Sequence, residues 1–217
     1  MLFVVGAFAV VAHAQQPLDV VLERMAEVGG DFRSLEADIE RTHVVVIVDD
    51  HSASTGKLYF EGKGEDSRIR MKIEAPAAQD LLVAEGRARH YNPRTNVVQE
   101  FDLGDNPQIV QFFVLGFGQS AVDLPTQHEV TLTGEEVVDG VSTVILDLKP
   151  RSERVSGMFK SFRLWVDQTR WIPVQAQVTE AGGDYNIVKY SNIKTNERIS
   201  GSRFDLKLPK NVQVIRP

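Results

Sequence analysis

The sequence contains no cysteine in its 217 residues. Without a thiol, the protein has no disulfide, no cysteine nucleophile and no thiolate metal site. The same absence excludes the lipid-modified cysteine that stands at the mature N-terminus of a membrane-tethered bacterial lipoprotein. We therefore expect a soluble mature protein without a lipid anchor.

Positive charge is also in short supply. The chain has 24 Lys and Arg residues against 30 Asp and Glu, which gives a formal net charge of -6 and a pI near 5.4. A surface that binds phosphates needs an excess of Lys and Arg to release counterions, so we expect no nucleic acid partner. The 42% hydrophobic and 25% charged residues are typical of a globular protein.

Long apolar runs are missing too. The run from Leu2 to Ala12 is too short to cross a bilayer as a helix, and Ala12-His13-Ala14 after it matches a small-x-small cleavage site. Residues 1–14 are therefore predicted to be a secretory signal peptide; the alternative is a short buried or interfacial helix. Residues 15–217 are then expected to form a single exported domain in the periplasm.

Motifs for catalysis and metal binding are absent as well. The sequence has no G-x-S-x-G elbow, no Walker loop and no G-x-G-x-x-G that opens a helix. The five histidines lack the i, i+4 spacing of a helical metal pair: His13, His43, His51, His90 and His128. Asp49-Asp50-His51 is compatible with a metal contact, but a polar hairpin tip has the same composition. We expect no enzyme activity, no metal site and no cofactor.

The sequence does contain a series of short alternating segments between Gly56 and Leu103. In Ser67–Glu74, apolar and basic residues alternate, which predicts a strand with one apolar face and one wet face. The links between these segments are too short for a parallel crossover, so we predict five consecutive antiparallel strands. They run through Lys57–Glu61, Ser67–Glu74, Asp80–Ala84, Ala88–Asn92 and Asn96–Leu103.

Two helices are predicted beside this sheet. The first, Pro17–Val28, carries apolar residues at helical spacing and ends before Gly29-Gly30. The second, Gln108–Leu115, follows Pro107 and is apolar around most of its circumference. A helix of that kind is buried or lines an apolar cavity.

The remaining segments are assigned by the same reasoning. Val44–Val48 is apolar at every position, which predicts a strand covered on both faces. Asp49–Thr55 is predicted to be a polar turn and Arg151–Gly157 a charged loop. Further strands between Gln127 and Ile215 bring the expected total to about eleven.

The number of large apolar residues allows two interpretations. An unclosed sheet with apolar helices across one side would enclose a cavity that retains ligands by the area removed from water. A dry, filled core explains the same residues equally well, and both interpretations stay open at this point. The aromatic residues concerned are Phe112, Phe113, Phe117, Phe159, Phe162, Trp165 and Trp171.

Several short motifs, in their order and spacing, are similar to one protein family. They are Gly56-Lys57-Leu58-Tyr59-Phe60, His90-Tyr91-Asn92-Pro93, Leu164-Trp165-Val166-Asp167, Trp171-Ile172-Pro173 and the closing segment Phe204 to Pro217. With the leader and the early helix, the chain resembles the outer-membrane lipoprotein carrier protein family, LolA and its relatives. The resemblance implies a mainly β (α+β) fold, an open, incomplete antiparallel β-barrel of about eleven strands with helices that cover a hydrophobic cavity.

The resemblance also implies a function. Proteins of that family are periplasmic chaperones that take acylated lipoproteins from an inner-membrane ABC exporter to an outer-membrane receptor. We expect this chain to be a monomer. By this resemblance, the expected cargo is an acylated lipoprotein or another lipid. The residues expected to line the cavity and its lid are Leu58, Phe60, Ile69, Met71, Ile73, Leu81, Val83, Phe101, Ile109, Phe112, Phe113, Phe117, Phe162, Leu164 and Trp171.

One segment departs from the family pattern. A Lys-Arg-Pro segment, whose arginine helps to close the lid in the family, should fall near Glu61–Asp66, where this sequence reads Glu-Gly-Lys-Gly-Glu-Asp. The latch therefore cannot be transferred to this chain. The alternative function is an envelope-stress sensor on the same half-barrel, which usually carries an additional C-terminal domain. Because this sequence stops at Pro217, the carrier is the preferred expectation.

Overall fold

The computed structural model describes residues 17–62, 66–103 and 114–216. Its strands are β1 (Ser34–Val45), β2 (Asp50–Glu61), β3 (Arg68–Ala75), β4 (Gln79–Ala84), β5 (Arg87–Asn92), β6 (Val97–Asp102), β7 (His128–Val138), β8 (Val141–Pro150), β9 (Phe159–Asp167), β10 (Pro173–Glu180), β11 (Tyr185–Thr195) and β12 (Gln213–Ile215). Its helices are α1 (Leu18–Gly30), α2 (Gln119–Gln127) and the single turn α3 (Glu153–Ser156). Val46–Val48 and Gly201–Phe204 form 3-10 turns.

Within those ranges, twelve strands form one open sheet. Their spatial order is β12-β6-β5-β4-β3-β2-β1-β11-β10-β9-β8-β7, with β12 at one edge and β7 at the other. Each neighbouring pair is antiparallel except β12 with β6, which is parallel. The predicted meander of β2 to β6 and the open, incomplete antiparallel sheet are confirmed. The count is twelve rather than about eleven because the short final segment adds an edge strand to β6.

β1 joins the two halves of the chain. It pairs with β2 on one side and with β11 on the other, so the N-terminal meander and the C-terminal strands share one sheet. The residues of one face collect into two apolar clusters, and we call this face the inner face. The first cluster contains Phe32, Leu35, Ala37, Ile39, Leu58, Phe60, Ile69, Ile73, Val83, Ala88, Leu103, Val114, Phe117 and Ile172. The second contains Val21, Met25, Leu115, Ala121, Leu124, Val144, Leu146, Leu148, Phe162, Leu164, Val166 and Ala176.

The helices α1 and α2 cover the second cluster. In α1 the i, i+4 pair Val21 and Met25 is completely buried, as the apolar spacing predicts. The two helices approach closely, since a Cβ on Gly29 would lie 2.5 Å from the Gly118 carbonyl oxygen. α2 is not predicted from the sequence, because it is only nine residues long and contains Pro125. None of the helices in the described ranges combines the length and the apolar character that a membrane span requires.

The C-terminal segment packs on the opposite, outer face. Ile199 and Phe204 are buried against Tyr59 of β2 and Leu82 of β4. The Arg70 guanidinium lies beneath this segment, where it donates to both carboxylate oxygens of Asp80 at 2.7 and 2.5 Å and to the Arg203 carbonyl at 2.7 Å. The segment therefore covers the outer face of β2 to β4, so the face of β3 that the alternation predicts to be wet is partly buried: Arg70 is 8% exposed.

The prediction for Val44–Val48 is wrong. β1 ends at Val45, and the next three residues form an exposed 3-10 turn in which Ile47 is 91% exposed. The predicted turn Asp49–Thr55 is also mostly strand, because β2 begins at Asp50 and pairs with β1 from that residue onward. An unbroken apolar run is equally compatible with a buried strand and with an exposed apex, and only the pairing distinguishes them.

Three further predictions need comment. The predicted loop Arg151–Gly157 contains the short helix α3. Of the predicted helix Gln108–Leu115, residues 108–113 lie outside the described ranges, and Val114 and Leu115 form a turn that is buried in the clusters. The predicted leader, residues 1–14, also lies outside them.

Candidate functional site: the inner face of the sheet

The predicted cavity residues of the N-terminal half form two rows that cross the sheet from β2 to β6. Residues that stand opposite one another in antiparallel register point to the same face. The first row is Phe60, Ile69, Val83, Ala88 and Phe101. The second row is Leu58, Met71, Leu81, His90 and Gln99. Ile73 lies one step further along the same face of β3.

The exposure of the side chains increases along the first row from β3 to β6. Ile69 is completely buried and Val83 is 2% exposed, whereas Phe101 is 41% exposed. In the second row, Met71 and Leu81 are only partly buried. The inner face is therefore well packed at β2 and β3 and accessible to solvent at β6.

The chain that follows the accessible end lies outside the described residues. β6 ends at Asp102, and residues 104–113 include three members of the predicted site: Ile109, Phe112 and Phe113. The structure thus brings the predicted sheet residues together, and these three lie outside the described residues.

Phe117 connects the returning chain to the first cluster. It is 1% exposed, and its ring lies 5.9 Å from that of Phe32 and 5.5 Å, edge-on, from that of Tyr190. The flanking Gly116 and Gly118 have φ of +83° and +56°, and a Cβ on Gly118 would lie 2.5 Å from the Phe32 ring. Glycine is needed here for both the backbone conformation and the space. Burial also raises the pKa of the Tyr190 hydroxyl.

The other predicted site residues lie in the second cluster. Phe162 and Leu164 of β9 are 1% and 0% exposed, packed with residues of α1 and α2. Trp171 lies in the turn after β9 and is partly buried against the same cluster. This half of the inner face is filled by the protein's own side chains, as the second interpretation of the apolar residues expects.

Sequence reasoning missed a polar end of the inner face. On β1, the buried residues Leu35, Ala37 and Ile39 are followed at the same parity by Arg41, which stands opposite Ser54 of β2. The Arg41 Nε and the Ser54 Oγ are both buried and have no hydrogen-bond partner in the structure. The signal was present, because the alternation that identifies the inner face of β1 continues through Arg41.

A second polar pair lies within the rows themselves. The His90 Nε2 lies 3.2 Å from the Gln79 Oε1, and both side chains are half-buried beside Leu81. No group of three or more His, Asp or Glu side chains that could bind a metal exists among the described residues. The inner face thus offers apolar area and a few polar side chains, which suits binding of an amphiphile.

Comparisons with solved structures agree with this architecture. An uncharacterized conserved protein from Thermus thermophilus aligns with a TM-score of 0.57 at 13% identity over 93% of this chain and 100% of its own. The Mycobacterium tuberculosis lipoprotein LppX aligns with a TM-score of 0.52 at 14% identity over 85% of this chain and 99% of its own. MucB aligns with a TM-score of 0.53 at 18% identity over 91% of this chain, but this chain spans only 64% of MucB.

At these identities the alignments establish the fold alone. The structure has the open, incomplete sheet with few helices that the resemblance found in the sequence implies. A family profile described as an uncharacterized protein matches residues 120–210, which is less than half of the chain. A comparison with curated protein sequences finds no match.

Proposed function

We propose that this protein is a periplasmic carrier that shelters acyl chains of a lipoprotein, or another lipid, on the inner face of its open sheet. The observation that supports the proposal is the increase in exposure along the first row, from buried Ile69 to Phe101 at 41%. An apolar face that is partly accessible in the unloaded protein offers area for an acyl chain to bury. The LolA-like fold supports the same assignment.

Reversible transport requires a cover that competes with the cargo. Each buried CH₂ contributes roughly 0.8 kcal/mol, so several acyl chains would stay bound unless closure of the emptied site recovers much of that energy. We propose that Gln108–Phe117 is this cover. It is the most apolar helix-like segment of the sequence, it follows β6, where the inner face is accessible, and its last residue, Phe117, is buried on the inner face.

The proposed route runs between two membranes. By the family resemblance, the donor is an inner-membrane ABC exporter and the acceptor is an outer-membrane receptor. No catalytic step is proposed, because cargo exchange between apolar surfaces needs no bond to be broken.

The test replaces apolar residues of the site by aspartate and measures uptake of a fluorescent fatty acid. Phe101→Asp and Phe112→Asp should each weaken binding at least about ten-fold, since a carboxylate in an apolar site must be desolvated. The matched control is Ile47→Asp, because Ile47 is 91% exposed in the 3-10 turn after β1 and should leave binding unchanged. Equal binding by all three variants and by the wild type would refute the proposal.

A second candidate is an envelope-stress sensor. It is favoured by the similarity to MucB, which has also been solved in complex with MucA(peri) and aligns in that form with a TM-score of 0.51. Native mass spectrometry of the protein purified from its own periplasm separates the two candidates. A co-purifying acyl mass supports the carrier, and a stoichiometric protein partner without lipid supports the sensor.

A further inference from the structure

We propose that the polar end of the inner face, around Arg41, binds the anionic group of an amphiphilic cargo. This inference rests on the proposed function and extends it from the acyl chain to the charged end of the molecule. The ligand group would be a phosphate or a carboxylate. Arg41 itself belongs to neither apolar cluster.

Arg41 lies on the inner face of β1, directly after its apolar residues. Leu35, Ala37 and Ile39 belong to the first cluster, and Arg41 follows at the same parity two residues after Ile39. At about 3.3 Å per residue, Arg41 lies about 7 Å beyond Ile39 and about 20 Å beyond Leu35 along the strand. The apolar part of this face therefore leads directly to a cation.

Arg41 has no ion pair among the described residues, and its Nε has no hydrogen-bond acceptor. Arg41 stands between Ser54 of β2 and Val188 of β11, which are its neighbours in register. Within the described ranges, the buried Nε of Arg41 and the buried Ser54 Oγ have no hydrogen-bond partner, and none of the ion pairs in those ranges includes Arg41. Other arginines in the sheet do have such partners: Arg68 with Glu61, Arg70 with Asp80 and Arg163 with Asp147.

An anion at Arg41 would remove the energetic cost of its unpaired Nε. A buried polar group without a hydrogen bond destabilises a protein, and hydrogen bonds to a charged group are stronger than those between neutral groups. A guanidinium presents its donors in a planar fork that matches a carboxylate or a phosphate. Binding an anion at Arg41 would give its buried Nε the acceptor that it lacks in the structure.

The residues next to Arg41 on the inner face are compatible with a bound anion. At the same parity beyond Arg41 and Ser54 come His43, Ser52 and Asn186, which continue the polar surface. The carboxylate of Glu180 accepts a hydrogen bond from the Asn186 amide at 3.4 Å and is not paired with Arg41. The side chains opposite Arg41, Ser54 and Val188, carry no negative charge, so an anion there would meet a donor and a cation.

The test compares ligands that differ only in charge. Two matched pairs are titrated into the delipidated protein by native mass spectrometry: dipalmitoyl phosphatidic acid with dipalmitoylglycerol, and palmitate with hexadecanol. The wild type should bind the anionic member of at least one pair about ten-fold or more tightly, the effect expected of a charged hydrogen bond. The pair that shows the preference distinguishes a phosphate from a carboxylate.

Variants assign the preference to the residue. Arg41→Gln should abolish it and leave binding of the neutral compounds intact, and Arg41→Lys should retain part of it. The control Arg154→Gln removes the same charge from exposed α3 and should change nothing. If Arg41→Gln does not fold, Ser54→Ala should still reduce the preference.

The outcomes separate this inference from the proposed function. Binding of the neutral and anionic compounds with equal affinity by the wild type would overturn the anion site alone. Retention of the preference in Arg41→Gln would do the same. Failure of all four compounds to bind would overturn the carrier function and, with it, the anion site.

Discussion

Replacement of Phe117 by alanine tests whether the cargo and the cover compete for the same place. The ring is 1% exposed and contacts the rings of Phe32 and Tyr190 on the inner face. Truncation of a buried phenylalanine to alanine costs about 3–5 kcal/mol. For a chain of this length, each kcal/mol lowers the melting temperature by about 2–4 °C, so a decrease of about 6–20 °C is expected.

The same substitution should strengthen cargo binding. If Phe117 occupies the inner face only in the empty protein, its removal weakens the competitor without removing a contact of the cargo. Each 1.4 kcal/mol of lost competition raises affinity about ten-fold, so a gain of at least that size is expected.

Two assays on one preparation check both expectations. Thermal unfolding of the delipidated protein measures the stability, and fluorescent fatty acid titration measures the affinity. A decrease in stability below about 1 kcal/mol would contradict the packing of Phe117, since such a loss is typical of surface positions. A folded variant that binds the probe more weakly than the wild type would refute the competition between cover and cargo.

Two other predictions concern the scaffold. Asp80→Ala leaves the buried Arg70 guanidinium without its carboxylate and should cost about 3–5 kcal/mol in urea denaturation; a loss under about 1 kcal/mol would contradict the ion pair, whose side chains are 10% and 13% exposed. Burial lowers the pKa of His128 below its ordinary 6.5, and its ring packs edge-on against Phe162. As the pH falls, His128 takes up a proton in the unfolded chain before it does so in the folded protein. The neutral, buried His128 therefore contributes fully to stability above pH 6.5, and this contribution is lost as the pH falls below 6.5. His128→Leu should remove this pH dependence of stability, measured as the urea midpoint at several pH values. The same dependence of the midpoint on pH in the variant and the wild type would contradict the role given to His128.

The alternation of apolar and polar residues predicts part of the inner face from the sequence. The pattern of Ile69, Met71 and Ile73 against basic residues correctly predicts which face of β3 is apolar, because successive side chains of a strand point to opposite faces. It also predicts β2 to β6 as a meander, since short links permit only antiparallel neighbours. These properties are local and need no knowledge of what lies beyond the next turn.

The failures have a common cause. Val46–Val48 has the composition of a buried strand but lies at an exposed apex, because β1 stops pairing with β2 at Val45. Phe162 and Phe101 are both aromatic residues on predicted strands. Phe162 is buried beneath α1 and α2, whereas Phe101 is 41% exposed near the end of β6. Apolar character does not reveal which element, if any, covers a residue.

Local order along the chain was sufficient to establish strands, their faces and their sequential pairing, because each depends on residues a few positions apart. Three properties depended on the folded protein: the junction of β1 with β11, the packing of α1 and α2 over the second cluster, and the absence of an ion pair to Arg41 among the described residues. Each is a relation between segments that are distant in the chain, and a side chain's partners are known only when those segments meet.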